Sequence, residues 1–155
     1  MKKTIITTSA LAVLFMALAS LKPTADKNQL EKIWYNQEKT SKIQIYLAKD
    51  GAYYGRIVWL KEPNDAETGK PRVDKENPDE SKRSTPLINL VILRQYHPDP
   101  NNPNVYTGGT IYDPKNGKTY CGKITFKGNT LDLRGYLCNA SIFGRTATWT
   151  LAEGQ

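Results

Sequence analysis

Histidine and cysteine are scarce in this chain, one of the first and two of the second among 155 residues, and that scarcity narrows its chemistry at once. His97 lies in a proline-rich stretch with no second histidine to share a metal and no evident nucleophile to activate, so it reads as a solvated loop residue. Phosphate-binding glycine loops are also absent, because Gly108-Gly109 leads into a strand pattern and not into a helix. Asp74, Asn77, Asp79 and Glu80 offer oxygen ligands without the glycine-centred spacing of a calcium loop, so neither metal nor cofactor is expected. No pair of acids stands out for general acid–base work. The chain is therefore read as non-catalytic, and an enzyme would return to contention only if acids or His97 converged on a pocket floor.

Long apolar runs are equally rare. The one run, Ile5 to Leu18, follows basic Lys2 and Lys3, is short for a bilayer span, and ends at Ala17-Leu18-Ala19, which suits a signal peptidase. Residues 1–19 are expected to be a cleaved signal peptide, and the protein to be periplasmic or secreted. A retained anchor helix is the less favoured alternative, since Thr7, Thr8 and Ser9 interrupt the run. No cysteine follows it, so no lipid anchor is expected. Cleavage would remove two lysines and leave 20 basic residues against 15 acidic ones. Because the bases are interspersed with acids along the chain, no nucleic acid is expected as a partner, while attraction to an anionic envelope surface is at least as well supported.

What remains is enough for one domain with one core: a polar segment over residues 20–32, with a helical turn near Leu30, then a single domain over 33–152. Strand patterns occupy Ile33 to Gln37, Lys42 to Leu47, Ala52 to Leu60, Leu87 to Leu93, Val105 to Tyr112, Lys118 to Lys127, Thr130 to Cys138 and Arg145 to Leu151. Asp50-Gly51, Asp113 to Gly117 and Gly128-Asn129 mark hairpin turns. Two connections are longer, Lys61 to Pro86 and His97 to Asn104, and the first is read as a solvated loop near the mouth, with a lid as the less favoured role. Eight antiparallel strands in sequence order predict an all-β, up-and-down closed barrel, because closure removes both exposed edges. A β-sandwich would need more long crossings.

The hairpin about Gly128-Asn129 should pair Phe126 with Leu131, Ile124 with Leu133 and Gly122 with Gly135, leaving a gap in the inward face where two side chains are missing. That register sets Cys121 and Cys138 on one face but diagonally, ~7–8 Å apart, too far for a disulfide without a bulge or a shifted register. Gly135 is a natural place for one, and the pairing is left open.

Aromatic residues carry the functional reading. Around Asp50-Gly51, Ile43, Ile45 and Leu47 are expected to share a face with Tyr54 and Val58, and Tyr46, Tyr53, Ile57 and Trp59 the other, making a hairpin apolar on both sides. Tyr46, Tyr53, Tyr54, Trp59, Tyr112 and Tyr120 are the candidate ligand-binding residues, an amphipathic lining for a small apolar molecule. The alternative is an envelope interaction protein that binds a protein or glycan partner and has a filled barrel interior. The sequence leaves the oligomeric state open.

Several motifs in order, Asp50 to Leu60, Asp74 with Asn77-Pro78, Ile111 to Tyr120, Leu133 to Tyr136, and Gly144 to Thr146 with Trp149, resemble the exported bacterial family called domain of unknown function 2147. The resemblance covers nearly all of the chain after the apolar run and implies a periplasmic or secreted, lipocalin-like barrel with no established activity. It departs at Lys32, where the family often has glycine. Lipocalins pack an early Trp on a basic residue near the last strand, and Trp34 with Arg145, beside Trp149, would be a similar closure, worth ~0.5–2 kcal/mol as a cation–π contact.

Overall fold

The computed structural model describes residues 29–152, so the expected signal peptide lies outside the described residues. Eight strands run β1 (Ile33–Tyr35), β2 (Ser41–Leu47), β3 (Tyr53–Leu60), β4 (Val91–Asp99), β5 (Asn102–Asp113), β6 (Lys118–Phe126), β7 (Thr130–Leu137) and β8 (Ala140–Leu151). Each pairs antiparallel with the next, and β1 pairs with β8 through Trp34↔Leu151 and Tyr35↔Thr150, so the sheet closes.

At three places the strand boundaries differ by more than two residues from the sequence pattern. The fourth strand begins at Val91, because Leu87 to Leu90 form a turn in which Asn89 takes a left-handed φ of 69°. The expected loop from His97 narrows to Pro100 and Asn101; Pro98 is tolerated inside the ladder because the register shifts beside it. The last strand starts five residues before Arg145.

The first hairpin reverses part of the expected face assignment. Lys49, Asp50 and Gly51, with Gly51 at φ 81°, make a turn that pairs Leu47 with Tyr53, Tyr46 with Tyr54 and Ile45 with Gly55. Tyr53 thus faces inward, on the side of Ile45 and Leu47, and Tyr54 outward, the opposite of the alternation the sequence predicts, because a one-residue slip exchanges the faces. A bulge opposite Lys42/Ile43 then puts Trp59 outside, where it meets Tyr35 edge-on at 6.0 Å and lies under Lys42 at 5.5 Å.

Large rings fill the end of the barrel near the β2–β3, β4–β5 and β6–β7 turns. Trp34, Tyr53, Tyr96 and Tyr106 are buried there with Ile45, Ile124 and Leu131. Residues 29–32 form bends, not the expected helical turn, and pack against the barrel. Leu30 is fully buried under the barrel, its carbonyl accepts from Trp34 Nε1 at 3.1 Å, and Gln29 Nε2 donates to Pro103 O and to Tyr106 Oη.

Gly122 pairs with Gly135, as the Gly128-Asn129 turn predicts, and the gap between them is occupied. Tyr96 reaches across from β4 with its ring against Gly109 and its hydroxyl against Gly122, while Ile111 covers Gly122 and Gly135. A methyl group at position 109 or 122 would overlap Tyr96. The Tyr96 hydroxyl is buried without a hydrogen-bond partner, and burial pushes its pKa above the ordinary phenol value.

Cys121 and Cys138 form a disulfide with Cα atoms 5.0 Å apart. The β6–β7 ladder stops at Cys121↔Tyr136, and Cys138 sits in the β7–β8 turn, so strand register no longer holds it at the diagonal distance. The register shift falls at Tyr136/Leu137, beyond Gly135. Closing this loop stabilises the fold by about 3 kcal/mol on chain-entropy grounds. Arg145 does not stack on Trp34. It pairs with Gly135, six residues before the Leu151 that faces Trp34, or ~20 Å along the strand. Trp34 instead packs edge-on against Phe126 at 6.2 Å, and Trp149 is buried opposite Leu131.

Gly122→Ala is expected to destabilise the protein by about 1–3 kcal/mol through overlap with the Tyr96 hydroxyl. Tyr96→Phe alone should be neutral or stabilising, since it removes a buried polar atom with no partner. In the double variant at least half of the Gly122→Ala loss should return. Equal losses in both backgrounds, measured by chemical denaturation, would show that Tyr96 is not what fills the glycine gap.

Candidate functional site

Above the waist set by Tyr96 and Ile111 the barrel is not filled. A cavity of about 1310 Å³ extends from Leu133, Ile43 and Trp149 to the opposite end of the barrel, where the β1–β2, β3–β4, β5–β6 and β7–β8 connections meet. Its walls are alternate inward residues: Ile57 from β3, Ile92 from β4, Ile111 from β5, Tyr120 from β6, Leu133 from β7 and Ala147 from β8. Its rim is charged, with Glu62, Asp65, Arg72, Lys75 and Glu76 from the β3–β4 connection and Arg145 from β8.

The six candidate binding residues separate into three groups. Tyr112 and Tyr120 line this cavity. Tyr53 lies in the packed floor, edge-on to Tyr106 at 5.2 Å. Tyr46, Tyr54 and Trp59 belong to the outer surface; the two tyrosines stack at 6.1 Å, and Tyr54 Oη donates to Asp50 Oδ2 at 2.7 Å. The reversed alternation of the first hairpin separates Tyr53 from Tyr54, and the bulge opposite Lys42/Ile43 turns Trp59 outward. The aliphatic walls Ile57, Ile92, Ile111, Leu133 and Ala147 were not singled out in the sequence, because β-branched and aliphatic residues on a strand say only that a face is buried.

The β3–β4 connection carries its own framework. Asn64 bridges to Pro71 and Val73 to Pro86, and a single helical turn at Glu80–Lys82 is capped by Asp79. Its anchor is Asp74, which is fully buried. Tyr112 Oη donates to both Asp74 oxygens, at 2.7 and 2.9 Å, and Asn77 Nδ2 donates to Oδ2 at 2.7 Å. Asp74 N donates to Thr85 O, which folds the segment on itself. Beside this anchor the Glu76 carbonyl lies against Gly117 in the β5–β6 turn, leaving no room for a side chain there. Further along, Lys75 bonds to Asp65 at 2.7 Å; with help from the Thr68 amide and hydroxyl, it holds the Asp65 carboxyl well below the usual range. Asp74, Asn77, Tyr112 and Gly117, scattered through the sequence motifs, thus meet at one lip of the cavity. The Asp74 oxygens serve this clamp and the Asn77 oxygen accepts from Asp79 N, and among the described residues no group of three or more His, Cys, Asp or Glu is placed to hold a metal.

A closed eight-stranded antiparallel barrel, packed at one end and open over a cavity at the other, is a lipocalin-like architecture. A solved structure described as "Protein HP1028 from the human pathogen Helicobacter pylori belongs to the lipocalin family" superposes with a TM-score of 0.67 at 22% identity, covering 80% of this chain and 83% of that one. The chain itself belongs to the family described as "Uncharacterized protein conserved in bacteria (DUF2147)", whose model matches residues 33–151. No curated protein matches it.

Burial, and then the bond to Asp74, pushes the Tyr112 phenol up to about 12. The folded value lies above the ordinary ~10, so the folded state keeps a proton that the unfolded chain releases. The Tyr112 contribution is therefore present below pH ~10 and is lost as pH rises towards about 12. Tyr112→Phe is expected to cost about 1–3 kcal/mol at neutral pH, because a buried carboxylate loses its donor, and to speed proteolysis within 61–86. The stability difference between wild type and Tyr112→Phe should shrink above pH ~10; a difference constant up to pH ~12 would contradict the clamp.

Proposed function

We propose that this protein is an exported, non-catalytic carrier that holds one small amphipathic molecule in the upper half of its barrel. The observation that carries the reading is the cavity of about 1310 Å³, far larger than the ~300 Å³ at which small-molecule sites begin. Its walls are aliphatic and aromatic and its rim charged, which suits a ligand with an apolar body and a polar end left at the mouth. The alternative expected from the sequence, a filled interior with an external aromatic site for a protein or glycan, fits only the lower half of the barrel and the outer Tyr46–Tyr54 stack. Export rests on the apolar run at Ile5 to Leu18. The family and the lipocalin-like fold support the carrier reading without naming a ligand.

Titration with the fluorescent apolar amine N-phenyl-1-naphthylamine tests it. Wild type is expected to bind, and Ala147→Trp, which places a ring in the cavity, to bind at least roughly tenfold more weakly at similar thermal stability. Trp59→Ala, on the outer wall, should bind as wild type does. Equal binding by wild type and Ala147→Trp, or native mass spectrometry of protein from its own periplasm finding no retained molecule together with no probe binding, would overturn the proposal.

A further inference from the structure

The two lips of the cavity mouth differ in charge and shape. Residues 29–113, including the whole β3–β4 connection, hold equal numbers of acidic and basic residues. Residues 114–152, which build β6, β7 and β8, hold Lys115, Lys118, Lys123, Lys127, Arg134 and Arg145 against one acid, Asp132. That acid is taken by Lys127 at 2.6 Å near the closed end. Six bases that look dispersed along the sequence therefore fall on one wall of the barrel; Lys115, Lys118 and Arg145 lie at the mouth end, and Arg134 reaches up to Ser141.

The same wall carries an unusual apolar projection. The β7–β8 register jumps from Tyr136↔Gly144 to Leu137↔Ala140, so Ser141, Ile142 and Phe143 bulge from β8 without partners in β7. Ile142 is 80% exposed and Phe143 67%, with Leu137 beside them at 49%. The bulge is held in place: Cys138, in the adjoining turn, is bonded to Cys121 on β6, and Arg134 donates to Ser141 O at 3.1 Å. Ile142 and Phe143 stand at the cavity mouth beside Arg145. A fixed loop that shows two large apolar side chains to solvent, rather than folding them into the open cavity below, implies a surface that receives them.

We propose that this bulge docks the protein on an anionic phospholipid surface, with Ile142 and Phe143 entering the headgroup–acyl boundary and Lys115, Lys118, Arg134 and Arg145 facing the lipid phosphates. The charge selects the occupant. Apolar side chains beside Arg145, Arg134, Lys115 and Lys118, with Asp113 the acid paired in that hairpin, leave a net positive charge that matches an anionic lipid surface, on which apolar burial and electrostatic attraction add. Docking there would present the open end of the barrel to the layer from which an amphipathic ligand is drawn. The inference deepens the carrier reading but does not need a bound ligand to be seen.

The test is co-sedimentation of the disulfide-intact protein with vesicles of phosphatidylcholine alone and with about one-third phosphatidylglycerol. Binding is expected to the second and not the first, and to be lost at high salt. Ile142→Ser with Phe143→Ser should weaken it by at least roughly tenfold, and Lys115→Gln with Lys118→Gln by several-fold for each charge removed. Both pairs lie on the surface, and an unchanged melting temperature would exclude misfolding. No binding to anionic vesicles, or equal binding by the serine variant, would overturn the proposal. So would a lipid-free dimer dissolved by the serine substitutions, which would give the bulge to a second copy. Ala147→Trp should still bind vesicles, so loss of probe binding with vesicle binding intact would remove the carrier reading alone.

Discussion

The whole interior is arranged by one steric fact: a tyrosine ring crosses the barrel where two strands have no side chains. Tyr96 needs Gly109 and Gly122 in front of it, and Ile111 closes the remaining space over Gly135. An eight-stranded barrel is just wide enough to be filled by side chains or to hold a small molecule. This chain does one in each half. Below Tyr96 the rings of Trp34, Tyr53 and Tyr106, with Leu30 as a plug, exclude everything else. Above it Ile57, Ile92, Leu133 and Ala147 are aliphatic or small, and their volumes, with Tyr120 beside them, do not meet across the barrel. The packed half supplies the burial that stabilises so small a domain, so the open half can remain unfilled.

Strand order, closure and the β6–β7 register were legible because turn chemistry fixes them. Gly128-Asn129 and the alternation of Ile124, Phe126, Leu131 and Leu133 allow one pairing that keeps apolar side chains together, and it is the pairing found. The β2–β3 hairpin had no such safeguard. Both of its faces are apolar, so a shift of one residue costs little in pattern and exchanges Tyr53 with Tyr54; only the turn geometry at Gly51 decides it. That slip is what sends Tyr53 to the packed floor and Tyr54 to the outer surface. Tyr112 on β5 and Tyr120 on β6 lie at the cavity, whereas the bulge at Ser141 to Phe143 leaves no mark in the sequence that differs from an ordinary strand start.

The motifs that identify the family mark structure more than chemistry. Asp74, Asn77 and Tyr112 form a buried polar cluster in which each carboxylate oxygen has a donor, and Gly117 leaves room for the Glu76 carbonyl. A buried carboxylate is tolerated only when its partners are in place, so such a cluster specifies one arrangement of a long connection that could otherwise adopt many. Its residues lie far apart in sequence, and their role is invisible until the fold assembles them.

The two sides of the mouth are therefore held by different means, and the difference bears on how anything could enter. One lip is polar, charge-balanced and fastened to β5 through Asp74 and Tyr112. The other is basic, carries its apolar side chains outward and is fastened covalently through Cys121 and Cys138. Neither lip depends on contents in the cavity for its anchoring, since the carboxylate clamp and the disulfide both tie it to strands of the barrel wall. An opening framed by two such lips keeps its shape when empty, so a ligand entering it need not supply the free energy of ordering the site; that absence of an ordering cost is what preorganisation contributes to affinity.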